Sequence, residues 1–284
     1  MSSNIHRGAA LRWQSQLVLA VATLPVAASL LAQSMGLCGF PPMFLVSGLV
    51  IGAGFGLLVW ALRAATVGAA FTGALFTVAY AYAAPGIRSI LWPVLALFVV
   101  TFAATRYGRA RKEELQLAEE RTGRSASQVA ANLGTAALAT IPISATKFAS
   151  THLFGHLVLI GLLAALAEAT ADTVSSELGE VLGGEPVLLT TLKKVPPGTD
   201  GAISVAGTLA GCLGAGLIAM VAGIALPLSP ADGLTVFLAG VFGLFLDSLL
   251  GATVERRGWL NNDAVNFLST LGAAISGAIG AAFL

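Results

Sequence analysis

The chain has 284 residues, 56% of them hydrophobic and 10% charged, with a net charge of +1. Ordinary globular domains carry about 25% charged residues, so a soluble fold cannot hide this much apolar surface behind so few charges; disorder, collagen, coiled coils and disulfide scaffolds are excluded too. The near-neutral charge leaves no bulk electrostatic case for nucleic acid, and apolar runs that are continuous rather than alternating argue against a β-barrel. What remains is an all-α, polytopic transmembrane helical bundle, in which 33 glycines suit closely packed helices.

A span needs about 20 apolar residues. The first is expected from Gln16 to Ala32, preceded by Arg7 and Arg12 and read as a retained helix because no small-residue cleavage site and polar mature chain follow. The second runs from Met43 to Leu62, the third from Ala64 to Ala84, stopped by Pro85-Gly86, and the fourth from Ile90 to Thr105. A charged connector, 106–128, follows; Glu120 and Arg124 stand four apart, so a solvated helix continuing out of the membrane is expected. The fifth segment, Val129 to Ala145, holds Asn132 and Pro142 and either spans or enters and returns. That leaves open whether Lys147 faces the opposite side or folds back toward the acids. The sixth runs from His152 into an acidic sequence, and the polar loop 173–201 follows, with a short hairpin expected near 186–195. The last three spans are expected at Ala202–Leu226, Gly233–Ala252 and Ala264–Leu284. The chain thus reads as a cytoplasmic tail, 1–15, and one membrane-embedded domain of nine helices, 16–284.

Charge placement sets the direction. With the N-terminus in the cytoplasm, thirteen of the 15 Lys and Arg residues fall on the inner side, and only Arg88 and Lys147 fall outside. Small residues at helical spacing, Gly207 with Gly211 and Gly272 with Ser276 and Gly280, are read as packing stripes. Gly52-Ala-Gly54-Phe-Gly56 lies inside an apolar span and is read the same way. Cys38 and Cys212 form no metal spacing and read as small packed residues.

Four clusters carry chemistry. In the first, Glu168 and Asp172 are four apart and share a helical face, which Ser175 and Ser176 extend; Glu177 would point away unless the helix breaks first. Two acids one turn apart repel, and a divalent cation removes that repulsion: Mg2+ favours one or two carboxylates plus waters and phosphate oxygens. The second is Asp247-Ser248, flanked by apolar sequence, where a buried acid needs a partner. The third is Lys193-Lys194-Val195-Pro196-Pro197-Gly198-Thr199-Asp200-Gly201. Pro-Pro-Gly enforces a turn, Thr199 or Asp200 is expected to cap the next helix, Gly201 leaves amides open at its N-terminus, and the lysines add charge for phosphate. The fourth is amide-rich: Asn132, then Asn261-Asn262-Asp263 and Asn266. His152 and His156 are four apart but fall on the side opposite the acids. No Ser-His-Asp order, Walker loop or dinucleotide fingerprint is present. Acids, a Lys-Lys pair and a helix N-terminus on the cytoplasmic side suit phosphoryl or nucleotidyl transfer to a lipid-borne acceptor.

Ala171-Asp172-Thr173-Val174-Ser175-Ser176-Glu177-Leu178-Gly179 resembles the signature of an integral-membrane family of long-unknown function that includes the chloroplast phytyl-phosphate kinase. Val195–Ser204, Asp247–Ala252, Asn261–Asn266 and Gln128–Asn132 resemble further blocks of that family in the same order. The similarity runs from about Val46 to the C-terminus. It implies a kinase that raises a polyprenyl or phytyl monophosphate to the diphosphate with a nucleoside triphosphate, CTP or ATP, and Mg2+. It also suggests kinship with dolichol and phytol kinases and with phosphatidate cytidylyltransferase.

On that reading Asp172, Glu168, Glu177 and Asp247 form the catalytic set, with Asp172, Glu168 and Asp247 on Mg2+. Lys193, Lys194, Gly198, Thr199, Asp200, Gly201, Ser175, Ser176, Asn132, Asn262 and Asn266 are the candidates for binding nucleotide and substrate. The competing readings are a cation- or proton-coupled transporter and a lipid-phosphate cytidylyltransferase. A transport path expects acids spread across the bilayer, whereas an enzyme expects them clustered near one face. The expected surroundings are the lipid bilayer of a bacterial inner membrane and an isoprenoid-phosphate lipid; nothing in the sequence sets the oligomeric state.

Overall fold

The computed structural model describes residues 11–35, 42–84, 86–117, 122–146 and 152–284, the side chains of 42–45, 145, 146 and 152 excepted. The expectations that fall on Arg7, Cys38, Pro85, Glu120 and Lys147 lie outside the described residues.

Among the described residues, nine long helices appear where nine spans are expected. They are α1 (Arg12–Ser34), α2 (Pro42–Ala61), α3 (Val67–Ala83), α4 (Leu91–Arg106), α6 (Ala126–Thr146), α7 (His152–Leu182), α8 (Val205–Ala225), α9 (Pro230–Leu250) and α10 (Asn262–Ala281), with the short α5 (Arg109–Glu114) between the fourth and fifth. Five of the long helices have the length and apolarity to cross a membrane, and α3, α4 and the Val46–Ala61 part of α2 are shorter apolar helices. The doubtful fifth segment is one continuous helix of 21 residues, about 31 Å long at 1.5 Å per residue. Pro142 sits inside it, and Asn132 satisfies its amide within the helix by donating to the Gln128 carbonyl at 2.9 Å. Large apolar side chains such as Phe71, Leu213 and Ile224 remain more than 70% exposed; on the outside of such a bundle this surface belongs against lipid.

The long helix α7 is the axle. Every residue from Ile160 to Ala171 is buried, as expected of a helix surrounded on all sides, and α4, α6, α8, α9 and α10 all pack against it. Small residues make the approach close. A methyl group added at Gly207 would lie 2.7 Å from the Ser175 carbonyl oxygen, and one at Gly211 2.9 Å from that of Ala171. The stripe on α8 therefore seats that helix on the acidic part of α7.

Helix ends follow local chemistry. Ser229 caps α9 in a capping box with Asp232, behind Pro230, which fits the first turn because its missing N–H has no partner there anyway. Asn261 caps α10, its Oδ1 accepting from the Ala264 amide at 2.9 Å. The same residue ties the chain's beginning to its end: Asn261 Nδ2 donates to the Leu11 carbonyl and to Ser15, while Gln14 bonds the backbone of Trp259 and Asn261.

The charged connector departs from the expected continuous solvated helix. Gly108 takes a left-handed conformation, φ 62°, which ends α4. The chain then folds back as α5 against α7. Lys112 is 1% exposed and ion-pairs with Glu177. The hairpin is present in a modified form. Val187 bridges Lys194, as a turn near 186–195 requires. The longer pairing, however, joins β1 (Val187–Leu188) to β2 (Ala202–Ile203), antiparallel. The Pro-Pro-Gly loop is thereby closed against the start of α8.

Candidate functional site

One end of the bundle collects the connector after α4, the loop 183–204 and the turn after α9. Here Asp172, Ser175 and Ser176 on α7, Gly198, Thr199, Asp200 and Gly201 in the loop, and Asp247 on α9 line one polar cavity of about 250 Å³, together with Asn262 at the head of α10. Residues up to 90 positions apart in the sequence, Asp172 and Asn262, thus share one chamber. The reason is packing. Gly201 sits at φ +70°, and a Cβ there would fall 2.0 Å from the Ala252 amide nitrogen, so the loop lies directly on the end of α9. At that contact α9 widens into a π-helical turn, Gly251–Glu255, a distortion often found at functional sites.

Among the described residues, five carboxylates line the chamber: Asp172, Glu180, Asp200, Asp247 and Glu255. No lysine or arginine is among those lining residues. Glu180 and Glu255 were not singled out from the sequence. The available signal was position, since each stands eight residues, about two helical turns, beyond Asp172 and Asp247 respectively. Ser248 and Ser204 line the chamber too.

Glu168 lies beneath these acids rather than on the cavity wall. It is 1% exposed, within Coulombic reach of Asp172 and Asp247, and neither of its oxygens has a hydrogen-bond partner among the described residues. Gly243 makes room for it: a methyl group there would stand 2.4 Å from Glu168 Cγ. Ser269 on α10 donates to Asp247 Oδ2 at 3.1 Å. Asn266, about one turn before Ser269 on the same helix, is buried with its Oδ1 unpartnered among the described residues.

Other candidates sit elsewhere. Glu177 does not line the chamber. Its Oε1 accepts from Thr105 at 2.8 Å and its Oε2 from Lys112, so it fastens α4 and α5 to α7; its helical phase had already pointed it away from Asp172. Lys193 and Lys194 are exposed and outside the chamber, and Lys194 pairs with Glu185. The cap of α8 is Ser204, whose Oγ accepts from the Gly207 amide at 3.1 Å, in place of Thr199 or Asp200. Thr199 instead turns its hydroxyl onto the Pro196 carbonyl at 2.7 Å. The Asp200 carboxyl is held above the ordinary carboxylate range by burial, with Arg256 opposing the shift. Asn132 faces a different cavity. His156 pairs with Asp232 at 2.9 Å, at the end opposite the acids.

Of the acids among the described residues, Asp232 lies at that opposite end, whereas five line the chamber and Glu168 lies within Coulombic reach of two of them. Three acidic, histidine or cysteine side chains close enough to cage a metal by themselves do not occur among the described residues.

Fold and site together define a multi-pass helical membrane protein with an acid-lined chamber at one face of the bundle. The chain belongs to the family of integral membrane proteins DUF92, whose model matches residues 50–274. The membership expected from the ordered sequence blocks is thereby shown. It is 40% identical over 187 residues to an uncharacterized membrane protein of Methanocaldococcus jannaschii, covering 66% of this chain and 74% of that one. A membrane protein of Synechocystis is 39% identical over 204 residues, 69% of this chain and 75% of its own length. The chloroplastic protein VTE6 of Arabidopsis thaliana is 32% identical over 232 residues, 80% of this chain and 68% of its own. No solved structure matches the chain.

Proposed function

We propose that the protein is a membrane-embedded kinase that converts an isoprenoid monophosphate to the diphosphate with a nucleoside triphosphate, CTP or ATP. The observation that carries this reading is the chamber lined, among the described residues, by five carboxylates and no basic side chain. A bare triphosphate is repelled from such a chamber; a triphosphate carrying divalent cations is attracted. Mg2+ fits this donor set, because it is held by one or two carboxylates together with substrate phosphates and needs no all-protein cage. Asp172 and Asp247 would hold it, with Glu168 behind them, and its chemistry is neutralisation of phosphate charge.

The reaction asks little covalent work of the protein. A monophosphate has a second pKa of about 6, so the acceptor is mostly a dianion at neutral pH and needs no general base. Its oxygen bonds to the γ-phosphorus, the bond from that phosphorus to the β–γ bridging oxygen breaks, and the nucleoside diphosphate leaves with the electron pair. Ser175 and Ser176 supply hydroxyls, and the loop 198–201 supplies backbone, to orient the phosphates. Clustering of the acids at one end favours an enzyme over a cation path, which needs acids along the whole depth.

The test is product analysis with labelled CTP and ATP, geranylgeranyl or phytyl monophosphate, and Mg2+. Prenyl diphosphate with nucleoside diphosphate supports the kinase. Pyrophosphate release identifies a cytidylyltransferase, and cation uptake into liposomes without nucleotide identifies a transporter; either result defeats the proposal.

A further inference from the structure

A second and larger cavity, about 500 Å³, lies between α2, α3, α4 and α6, beside α7. Its inner wall is apolar: Phe55, Val59, Val94, Leu97, Phe98 and Leu133. Its rim carries Arg63, Arg106, Arg109 and Arg124 against the carboxylate of Glu113. Such a shape, a greasy chamber under a ring of guanidinium groups, takes an amphiphile with a long hydrocarbon tail and an anionic head.

The rim is built rather than incidental. Arg106 donates to the Leu62 carbonyl at 2.6 Å and lies 4.1 Å over the Phe102 ring. Arg109 is paired with Glu113 at 3.0 Å. Arg63 is held at φ 54°, a strained conformation for a side-chain-bearing residue. Arg124 reaches Thr173 Oγ1 at 3.4 Å, and its backbone is clamped to Ala64 and Thr66. Thr173 is the chain neighbour of Asp172, which lines the acid chamber. The cationic rim and the acid chamber therefore meet across one turn of α7. Guanidinium is the side chain best matched to phosphate, through paired donors.

We infer that this second cavity is the acceptor site: the tail of a single-chain isoprenoid monophosphate lies among α2, α3, α4 and α6, with its phosphate under Arg124 and Arg106. The inference rests on the kinase reading and extends it to the lipid substrate. One hydrocarbon tail and one phosphate suit a single chamber with an apolar wall and one cationic rim. Cavities of this size bury most of a ligand of several hundred daltons.

Two experiments test it. First, protein in nanodiscs is photolabelled without nucleotide by geranylgeranyl monophosphate carrying a diazirine in its tail. Adducts on Phe55–Gly73 and Val94–Phe102 are expected, displaced by unlabelled geranylgeranyl monophosphate and about tenfold less well by geranylgeraniol or phosphatidate. Adducts spread over the lipid-facing helices, or equal displacement by phosphatidate, overturn the inference. Second, Gly73→Leu fills the chamber. A Cβ at Gly73 makes only an ordinary contact, 3.8 Å to Phe55, so the helix accepts it. The expected result is a KM for geranylgeranyl monophosphate raised about tenfold or more with the nucleotide KM unchanged; an unchanged lipid KM overturns the inference. Labelling confined to the cavity without any diphosphate product upholds the lipid-phosphate site while the kinase reading fails. Diphosphate product with labelling elsewhere refutes the site alone.

Discussion

Replacing Lys112 by methionine keeps most of the side chain's length and removes three hydrogen-bond donors. All three are used: Nζ donates to the Ala104 carbonyl at 3.0 Å, to the Thr105 carbonyl at 3.2 Å and to Glu177 Oε2 at 2.5 Å. The two carbonyls belong to the last turn of α4, where helix ends leave acceptors unpaired and favour a cation. Lys112 is 1% exposed and Glu177 16%, so the pair is nearly out of water. Removing one partner of a buried pair costs about 3–5 kcal/mol. Because Glu177 keeps the Thr105 hydroxyl at 2.8 Å and some access to solvent, the low end, about 3 kcal/mol, is expected. The assay is unfolding in mixed micelles with increasing SDS, run as a cycle with Glu177→Gln. The double variant should recover about 1–2 kcal/mol of the combined single losses. An unfolding curve for Lys112→Met within about 0.5 kcal/mol of the parent would refute the argument that this connector is fastened by a buried pair.

Asp172→Asn keeps size and shape while removing one charge from the chamber; turnover with Mg2+ and nucleotide should fall about 100-fold or more, with the melting temperature in detergent held or raised. A variant that stays folded and fully active would sink the assignment. Gly201→Ala forces a side chain into φ +70° and against the Ala252 amide. The backbone strain alone costs about 1–3 kcal/mol, so a lowered melting temperature and a weaker nucleotide KM are expected together. Ser204→Ala removes the cap of α8 and should cost about 1 kcal/mol, readable by the same unfolding assay. Asp200 titrates above its ordinary range in the folded protein, so the stability it contributes is present below about pH 4 and is lost as pH rises through the raised value. Asp200→Asn should flatten that part of the stability profile in Mg2+-free buffer, and an unaltered profile would contradict the desolvation of this carboxyl.

Periodicity and composition are local properties, and they were enough for the helices. Among the described residues, nine apolar runs became nine long helices because a backbone in lipid must satisfy its own hydrogen bonds, whatever its neighbours do. The shared face of Glu168 and Asp172 was legible for the same reason, as was the outward phase of Glu177. The ordered blocks from Gln128 to Asn266 were legible as a family signature. Only the tertiary structure decided which segments meet. That Asp247 joins Asp172 depends on α8 and α9 closing on α7 through Gly211 and Gly243, a matter of side-chain volume between segments some 75 positions apart. Lys193 and Lys194 looked like phosphate ligands because charge is visible in a sequence and direction is not; the β1–β2 pairing leaves them on the outside of the loop. The same ignorance of direction concealed Lys112. In sequence it is one cation among many in a charged connector, and it becomes a buried fastener because Gly108 turns the chain back under α4. Arg124 likewise acquires its place beside Thr173 only when the connector folds against α7.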